Sequence, residues 1–254
     1  QDRIGAEQGW TSSTTRTDGR QPNQLRPIRF QNNIAPYATG STLIEWGNTR
    51  VICGVTIEEN VPRWMKDQGV TGGWITAEYS MLPYSTLQRK PRDITKGKID
   101  GRSQEIQRLI GRAMRTVVNL EALGERTITL DCDALRADGG TRTAAITAAY
   151  VATYDAMRWM VKQRMISKVL LNEPCAAISV GVVRGVEMLD LCYEEDSTAD
   201  TDMNVVMTAS GKFIEVQGTA EADPFSAETL GKMLALAKKG ILQLIDLQNE
   251  ALNA

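Results

Sequence analysis

Between residues 127 and 150 the chain switches from the two-residue period of a strand to the composition of a helix, across a turn that holds two adjacent glycines. Over residues 127–134, Ile128, Leu130 and Cys132 fall on one face, the alternation of a half-buried strand. Ala144-Ala145-Ile146-Thr147-Ala148-Ala149-Tyr150 then favours helix. The link, Ala137-Asp138-Gly139-Gly140-Thr141-Arg142-Thr143, must turn sharply into a helix N-terminus, where unpaired N–H groups and the positive end of the helix dipole attract an anion. Thr141 adds a hydroxyl and Arg142 a fixed charge. The competing reading is a glycine-turned helix start with a solvated arginine. No Gly-Lys-Ser or Gly-Lys-Thr follows, so the turn is not the phosphate loop of ATPases.

Apolar periodicity predicts strands over residues 25–30, 41–46 and 49–57, with Gly47-Asn48 as a hairpin turn, and a further strand over residues 73–81. From residue 84 to residue 102 the period vanishes. Six cations there, Arg89, Lys90, Arg92, Lys96, Lys98 and Arg102, face two aspartates, a net of four positive charges. A solvated loop is the ordinary explanation, while a basic loop beside an anion-binding helix end suits a polyphosphate ligand. In the next helix Ile106, Leu109, Ile110, Val117 and Leu120 form the apolar face, and Arg108, Arg112 and Arg115 recur on a stripe open to solvent, to a partner subunit or to RNA.

The central helix is expected to run to residue 165, followed by strands over 176–183 and 186–191 joined near Arg184-Gly185. An acidic stretch over residues 194–202 precedes a hairpin of 203–208 and 212–217 around Ser210-Gly211. Carboxylates at a strand end suit Mg²⁺, which takes oxygen donors, although an acidic surface turn explains them as well. Residues 226–252 form a long amphipathic helix in which Gly240 is a candidate bend. The whole reads as a mixed α/β unit without a clean βαβ repeat.

The 254 residues, 42% of them hydrophobic, allow one large domain or two modest ones. The polar residues 1–16 read as a flexible tail, a processed leader or a cloning remnant. No apolar run approaches a membrane span and no signal peptide is evident, so a cytoplasmic protein with no membrane partner is expected. Cys53, Cys132, Cys175 and Cys192 lack any Cys-x-x-Cys spacing and are expected to be buried, reduced thiols. The absence of histidine removes His-based triads, His-ligated zinc and imidazole acid–base catalysis. A net charge of −2 argues against a protein that coats nucleic acid over its whole surface.

Several long segments, in order, resemble bacterial ribonuclease PH: Thr17-Asp18-Gly19-Arg20, Glu78-Tyr79-Ser80-Met81-Leu82-Pro83, Arg102-Ser103-Gln104-Glu105-Ile106-Gln107-Arg108-Leu109-Ile110-Gly111-Arg112, Leu123-Gly124-Glu125-Arg126-Thr127, the turn at residues 137–143, Leu189-Asp190-Leu191 and Val216-Gln217-Gly218-Thr219-Ala220-Glu221. The resemblance implies an α/β (α+β) fold of mixed sheets with packed helices, similar to the second domain of ribosomal protein S5. It implies one catalytic domain over residues 17–254.

The implied activity is a phosphate-dependent 3′-to-5′ exoribonuclease and tRNA nucleotidyltransferase that trims tRNA precursors and other RNA, releases nucleoside 5′-diphosphates, and adds nucleotides in reverse. Inorganic phosphate is then a co-substrate, held by Arg102, Gly140, Thr141 and Arg142. Asp196 and Asp202 bind Mg²⁺ or Mn²⁺ or assist the leaving oxygen, and Arg89 and Arg92 contact RNA. Such enzymes need no histidine, because phosphoryl transfer runs on positioning and charge neutralisation. The resemblance further implies a homohexameric ring, a trimer of dimers. Tyr84 departs from the family pattern, which commonly has arginine there. A different class of function, a non-catalytic RNA-binding ring subunit of an exosome-like assembly, is the alternative.

Overall fold

In the computed structural model, which describes residues 16–221 and 223–254, strand alternation resolves into two sheets. The first contains β1 (Ile28–Asn32), β2 (Gly40–Trp46), β3 (Thr49–Glu58), β4 (Trp74–Met81) and β5 (Thr127–Arg136), in the order β1-β2-β3-β5-β4. β1, β2, β3 and β5 pair antiparallel, whereas β4 runs parallel to β5. A parallel pair needs a long crossover. Helix α3 (Gly101–Val117) supplies it, preceded by the short helix α2 (Asp93–Lys96) and followed by α4 (Leu120–Leu123), while the short α1 (Arg63–Asp67) lies earlier, between β3 and β4.

The turn of two glycines leads from β5 into α5 (Thr141–Lys162), which packs on β2, β3 and β5 and also reaches the second sheet. That sheet, antiparallel throughout, has the order β7-β6-β8-β9, from β6 (Cys175–Val183), β7 (Val186–Leu189), β8 (Thr201–Thr208) and β9 (Phe213–Ala220). The short helix α6 (Tyr193–Asp196) lies between β7 and β8, and α7 (Ala227–Asn253) closes the chain against β6, β7 and β8.

The alanine content of α5 now has a reason. Ala144, Ala145, Ala148, Ala149, Ala152 and Ala156 are fully buried, and Gly40 of β2 meets the backbone of Ala152 and Ala156 so closely that a side chain would overlap it. A buried methyl contributes only about 0.8 kcal/mol, so the helix stabilises mainly by letting both sheets approach it. The main hydrophobic core runs from Ile44, Val55 and Leu130 through Ile146 and Val151 to Val205 and Ile241, and a small second cluster gathers Val183, Met188, Leu191 and Ala199.

Several expectations shift. Arg16, assigned above to the tail, is buried and hydrogen-bonded, while the rest of that segment, residues 1–15, lies outside the described residues. The basic segment contains α2, and Arg102 already belongs to α3. α5 stops at Lys162 rather than residue 165. β7 ends at Leu189, not 191, because Asp190 turns into the left-handed region at φ 58°. Gly240 does not divide α7; it is buried against Leu189 and Ile178, with room for no Cβ at its present distance from Leu189. Of the three α3 arginines, Arg115 is turned inward, donating to the Ile75 carbonyl at 2.8 Å and stacking over the Trp74 ring, and Arg112 is paired with Glu215. Arg108 remains exposed. All four cysteines are buried and free. No helix among the described residues is long and apolar enough to cross a membrane.

Candidate active site

The turn before α5 is a left-handed pair, Gly139 at φ 75° and Gly140 at φ 70°, with Gly140 in the N-cap position and no side chain capping the helix. The first N–H groups of a 22-residue helix are therefore left for a ligand. Gly139 has a second reason to be glycine. A Cβ there would lie 2.7–2.9 Å from the backbone of Leu191, Cys192 and Tyr193, in the segment that carries α6.

Thr141 is buried and accepts a hydrogen bond of 2.8 Å from the Tyr79 hydroxyl on β4. That bond occupies a lone pair of the threonine oxygen and leaves its own proton to donate to an anion. Burial raises the Tyr79 hydroxyl against the pull of Thr141, Arg102 and Arg142, which keeps it a proton donor at neutral pH. Arg142 is mostly buried and held by Glu105 at 3.2 Å and by the Gln217 side-chain oxygen at 3.4 Å.

The two carboxylates converge on the same place. Asp196 ends α6 and Asp202 is the second residue of β8, and across the intervening residues 197–201 the charge of Asp196 is felt at Asp202. Asp196 is solvent-accessible as a residue, yet the packing around its carboxyl desolvates it and pushes it up, opposed by the charges of Arg102, Arg142 and Arg26 and reinforced by Glu221. Asp202 is raised by burial, then by Asp196 and Glu221, with Arg142 opposing. Each side of the candidate site thus feels the other.

Among the described residues no three or more His, Cys, Asp or Glu side chains are grouped to enclose a metal ion. What Asp196 and Asp202 offer is a pair of mutually repelling oxygen donors. This fits a hard divalent cation that takes two protein carboxylates and completes its shell with water or phosphate.

The structure therefore brings together Arg102, Gly140, Thr141, Arg142, Asp196 and Asp202. Arg89 and Arg92 are exposed on the segment before α3; Arg92 lines a pocket with Ser103, next to Arg102, and its charge also reaches Asp133 of β5. Sequence reasoning missed Tyr79, Glu221 and the buried arginines beneath the turn. The first two lie inside quoted motifs, and a tyrosine on the inward face of a strand was the available signal. Arg20 also lies in a family-like segment, Thr17-Asp18-Gly19-Arg20, whereas Arg16 and Arg26 carried no signal, because burial of an arginine is decided by partners remote in sequence.

A cationic helix start facing a carboxylate pair, on two sheets that share one buried helix, defines the class of protein. The family described as "3′ exoribonuclease family, domain 1" matches residues 24–158, and "3′ exoribonuclease family, domain 2" matches residues 173–240. The chain belongs to this 3′ exoribonuclease, or ribonuclease PH, family. Solved structures with the same fold include rice (Oryza sativa) Rrp46, with 20% identity and a TM-score of 0.76 over 93% of this chain and 100% of that one. Another is the Archaeoglobus fulgidus exosome with RNA bound to the active site, with 20% identity and a TM-score of 0.76 over 94% of this chain and 92% of that one.

Proposed function

We propose that this protein is a phosphate-dependent 3′-to-5′ exoribonuclease of the bacterial ribonuclease PH type, acting in the cytoplasm as a homohexameric ring on tRNA precursors and other RNA 3′ ends. The observation that supports the reading is the uncapped start of α5 at the Gly139–Gly140 turn, with the Thr141 hydroxyl and Arg142 on its first residues and Asp196 within reach of the Arg102 and Arg142 charges. Inorganic phosphate sits on the α5 N–H groups, Thr141, Arg142 and Arg102. One of its oxygens bonds to the last phosphodiester phosphorus, the P–O3′ bond breaks, and the electron pair and a proton pass to the 3′ oxygen of the shortened RNA. The product is a nucleoside 5′-diphosphate. Arg142 and Arg102 neutralise charge on the attacking group, and the rigid turn fixes its approach. Asp196 and Asp202 would hold Mg²⁺ or Mn²⁺, which when bound supplies charge stabilisation at the phosphoryl oxygens.

A second reading, a non-catalytic RNA-binding ring subunit, draws on the likeness to exosome structures and on Tyr84 in place of the family's usual arginine. Incubation of a 3′-extended RNA with and without inorganic phosphate and Mg²⁺ separates the two. Phosphate-dependent release of nucleoside diphosphates supports the enzyme; monophosphate products or intact RNA bound by the protein rejects it.

A further inference from the structure

Behind the glycine turn lies an ionic cluster that the proposed reaction does not use. Asp190 is buried, with 1% of its surface exposed. Its carboxylate accepts from the Arg26 backbone N–H at 2.7 Å, from Arg26 Nη2 at 2.8 Å and Nε at 3.2 Å, from Trp46 Nε1 at 2.9 Å and from Arg20 Nη1 at 3.3 Å. Burial works against this carboxylate, yet Arg26 and Trp46 hold it below its ordinary range, so it is charged at neutral pH. Arg26 in turn donates from Nη1 to the Asp138 carbonyl at 2.6 Å and from Nη2 to the Gly139 carbonyl at 3.4 Å. Gly47 in the β2–β3 hairpin leaves space for this arginine, since a Cβ there would lie 2.7 Å from Arg26 Cδ.

A second anchor holds the same turn from the first sheet. The Thr49 hydroxyl donates to the Gly139 carbonyl at 2.7 Å and accepts from the Asp138 N–H at 3.0 Å. The Asp138 carboxylate accepts from the Tyr193 N–H, at the start of α6, at 3.3 Å. Next to Asp196, Glu195 is clamped by Arg16, whose Nε and Nη2 reach its two oxygens at 2.7 and 2.6 Å. The anion-holding turn and the helix that carries Asp196 are thus fastened to a common buried frame.

We propose that Arg26 and Asp190, with Thr49, are positioning residues that point the Gly139 and Asp138 carbonyls inward, so that the following N–H groups face the bound anion, and that lock this turn to the segment bearing Asp196. Asp190 offsets the charge of Arg26, and the new role assigned to the pair is geometric: it acts through the carbonyls that Arg26 holds. A peptide unit is rigid, and a carbonyl fixed on one side fixes the N–H on the other. The glycines permit this conformation and several others; the arginine fork and the threonine hydroxyl select one.

This inference rests on the phosphate-holding role proposed above, and its test uses binding rather than turnover alone. Arg26→Lys keeps a cation for Asp190 but cannot reach Asp190 and both carbonyls in one fork. Thr49→Val removes the second anchor with little change of shape, and Thr49→Ser restores it. The measurements are inorganic phosphate affinity by calorimetry, the melting temperature, RNA affinity without phosphate, and phosphate-dependent turnover.

Phosphate binding is expected to weaken roughly tenfold, the worth of one well-placed hydrogen bond, in Arg26→Lys and Thr49→Val. Thr49→Ser and phosphate-free RNA affinity should stay at the wild-type level. Unchanged phosphate affinity in folded Arg26→Lys, or equal affinity in the valine and serine variants, overturns the inference whatever the melting temperatures; the Thr49 pair decides alone if Arg26→Lys does not fold. Wild-type protein that binds phosphate, loses it as expected in the variants, and still leaves RNA intact overturns the proposed activity and not this inference. Wild-type protein that binds no phosphate overturns both.

Discussion

Asp196 and Asp202 illustrate how a functional residue departs from what stability alone would select. Their folded-state carboxyls are raised above the unfolded values, both by burial first, Asp202 then by Asp196 and Glu221, and Asp196 in spite of the opposing charges of Arg102 and Arg142. The sign follows: folding favours their protonated form, so below the unfolded value they cost nothing, and as pH rises through the folded value the ionised pair becomes a penalty. Replacing either with asparagine should raise the melting temperature at neutral pH without divalent cation, by about 2 °C if about 0.5–1 kcal/mol of desolvation and repulsion is relieved after screening by solvent at these partly exposed groups. The same variants should lose most phosphate-dependent turnover. A lower melting temperature in either variant, or turnover at wild-type level with saturating Mg²⁺, removes that residue from the proposed role. Turnover of the unaltered protein should also decline on the acid side at a pH above the usual aspartate value of about 3.9.

The arginines divide by place. Arg142→Gln or Arg102→Gln removes a charge-assisted bond to phosphate worth about 1.5–3 kcal/mol, hence a tenfold to hundredfold loss, roughly, in phosphate efficiency. Arg89→Gln with Arg92→Gln should instead weaken RNA binding and flatten its salt dependence, about one counterion per lost phosphate contact. A phosphate titration at saturating RNA, beside RNA binding across salt, checks both. An Arg142→Gln enzyme with unaltered phosphate dependence would remove the turn from the proposed phosphate site.

At the scale of elements, the strand-turn-helix from β5 to α5 carries a local requirement and a remote one. Left-handed φ values at Gly139 and Gly140 are the local requirement, legible from the adjacent glycines. The remote one is the approach of residues 191–193 to Gly139. Gly139→Ala should therefore cost about 2–5 kcal/mol, from left-handed strain of about 1–2 kcal/mol and backbone overlap of about 1–3 kcal/mol. It should also shift α6 relative to the turn. Denaturant unfolding gives the first quantity, and phosphate affinity of the remaining folded protein reports the second. A loss below about 1 kcal/mol would mean that α6 yields freely and the turn is not seated against it.

For the whole molecule, the two matched family segments are joined by α5 and by the buried pair Arg26–Asp190, with Arg16 and Arg20, just before the first segment, bound to Glu195 and Asp190 of the second, so the candidate site belongs to both halves. The proposed ring adds a further level. Sedimentation at micromolar concentration and moderate salt should show a closed oligomer, most simply a hexamer, as expected for repeated symmetric interfaces. A monomer under those conditions counts against the ring.

Strand alternation, the turn of two glycines, the alanine-rich helix and the amphipathic C-terminal helix were all determined by local order along the chain. Each depends on a period or a turn chemistry that neighbours in sequence carry. The same local order, read as motifs, singled out Arg102, Thr141, Arg142, Asp196 and Asp202, which the structure brings to one place. Tertiary structure alone decided that Tyr79 donates to Thr141, that Arg16 is interior, and that Asp190 bends the chain after β7. These outcomes rest on partners distant in sequence, such as Arg16 and Glu195, 179 positions apart. A buried polar group is tolerable only once such a partner has arrived.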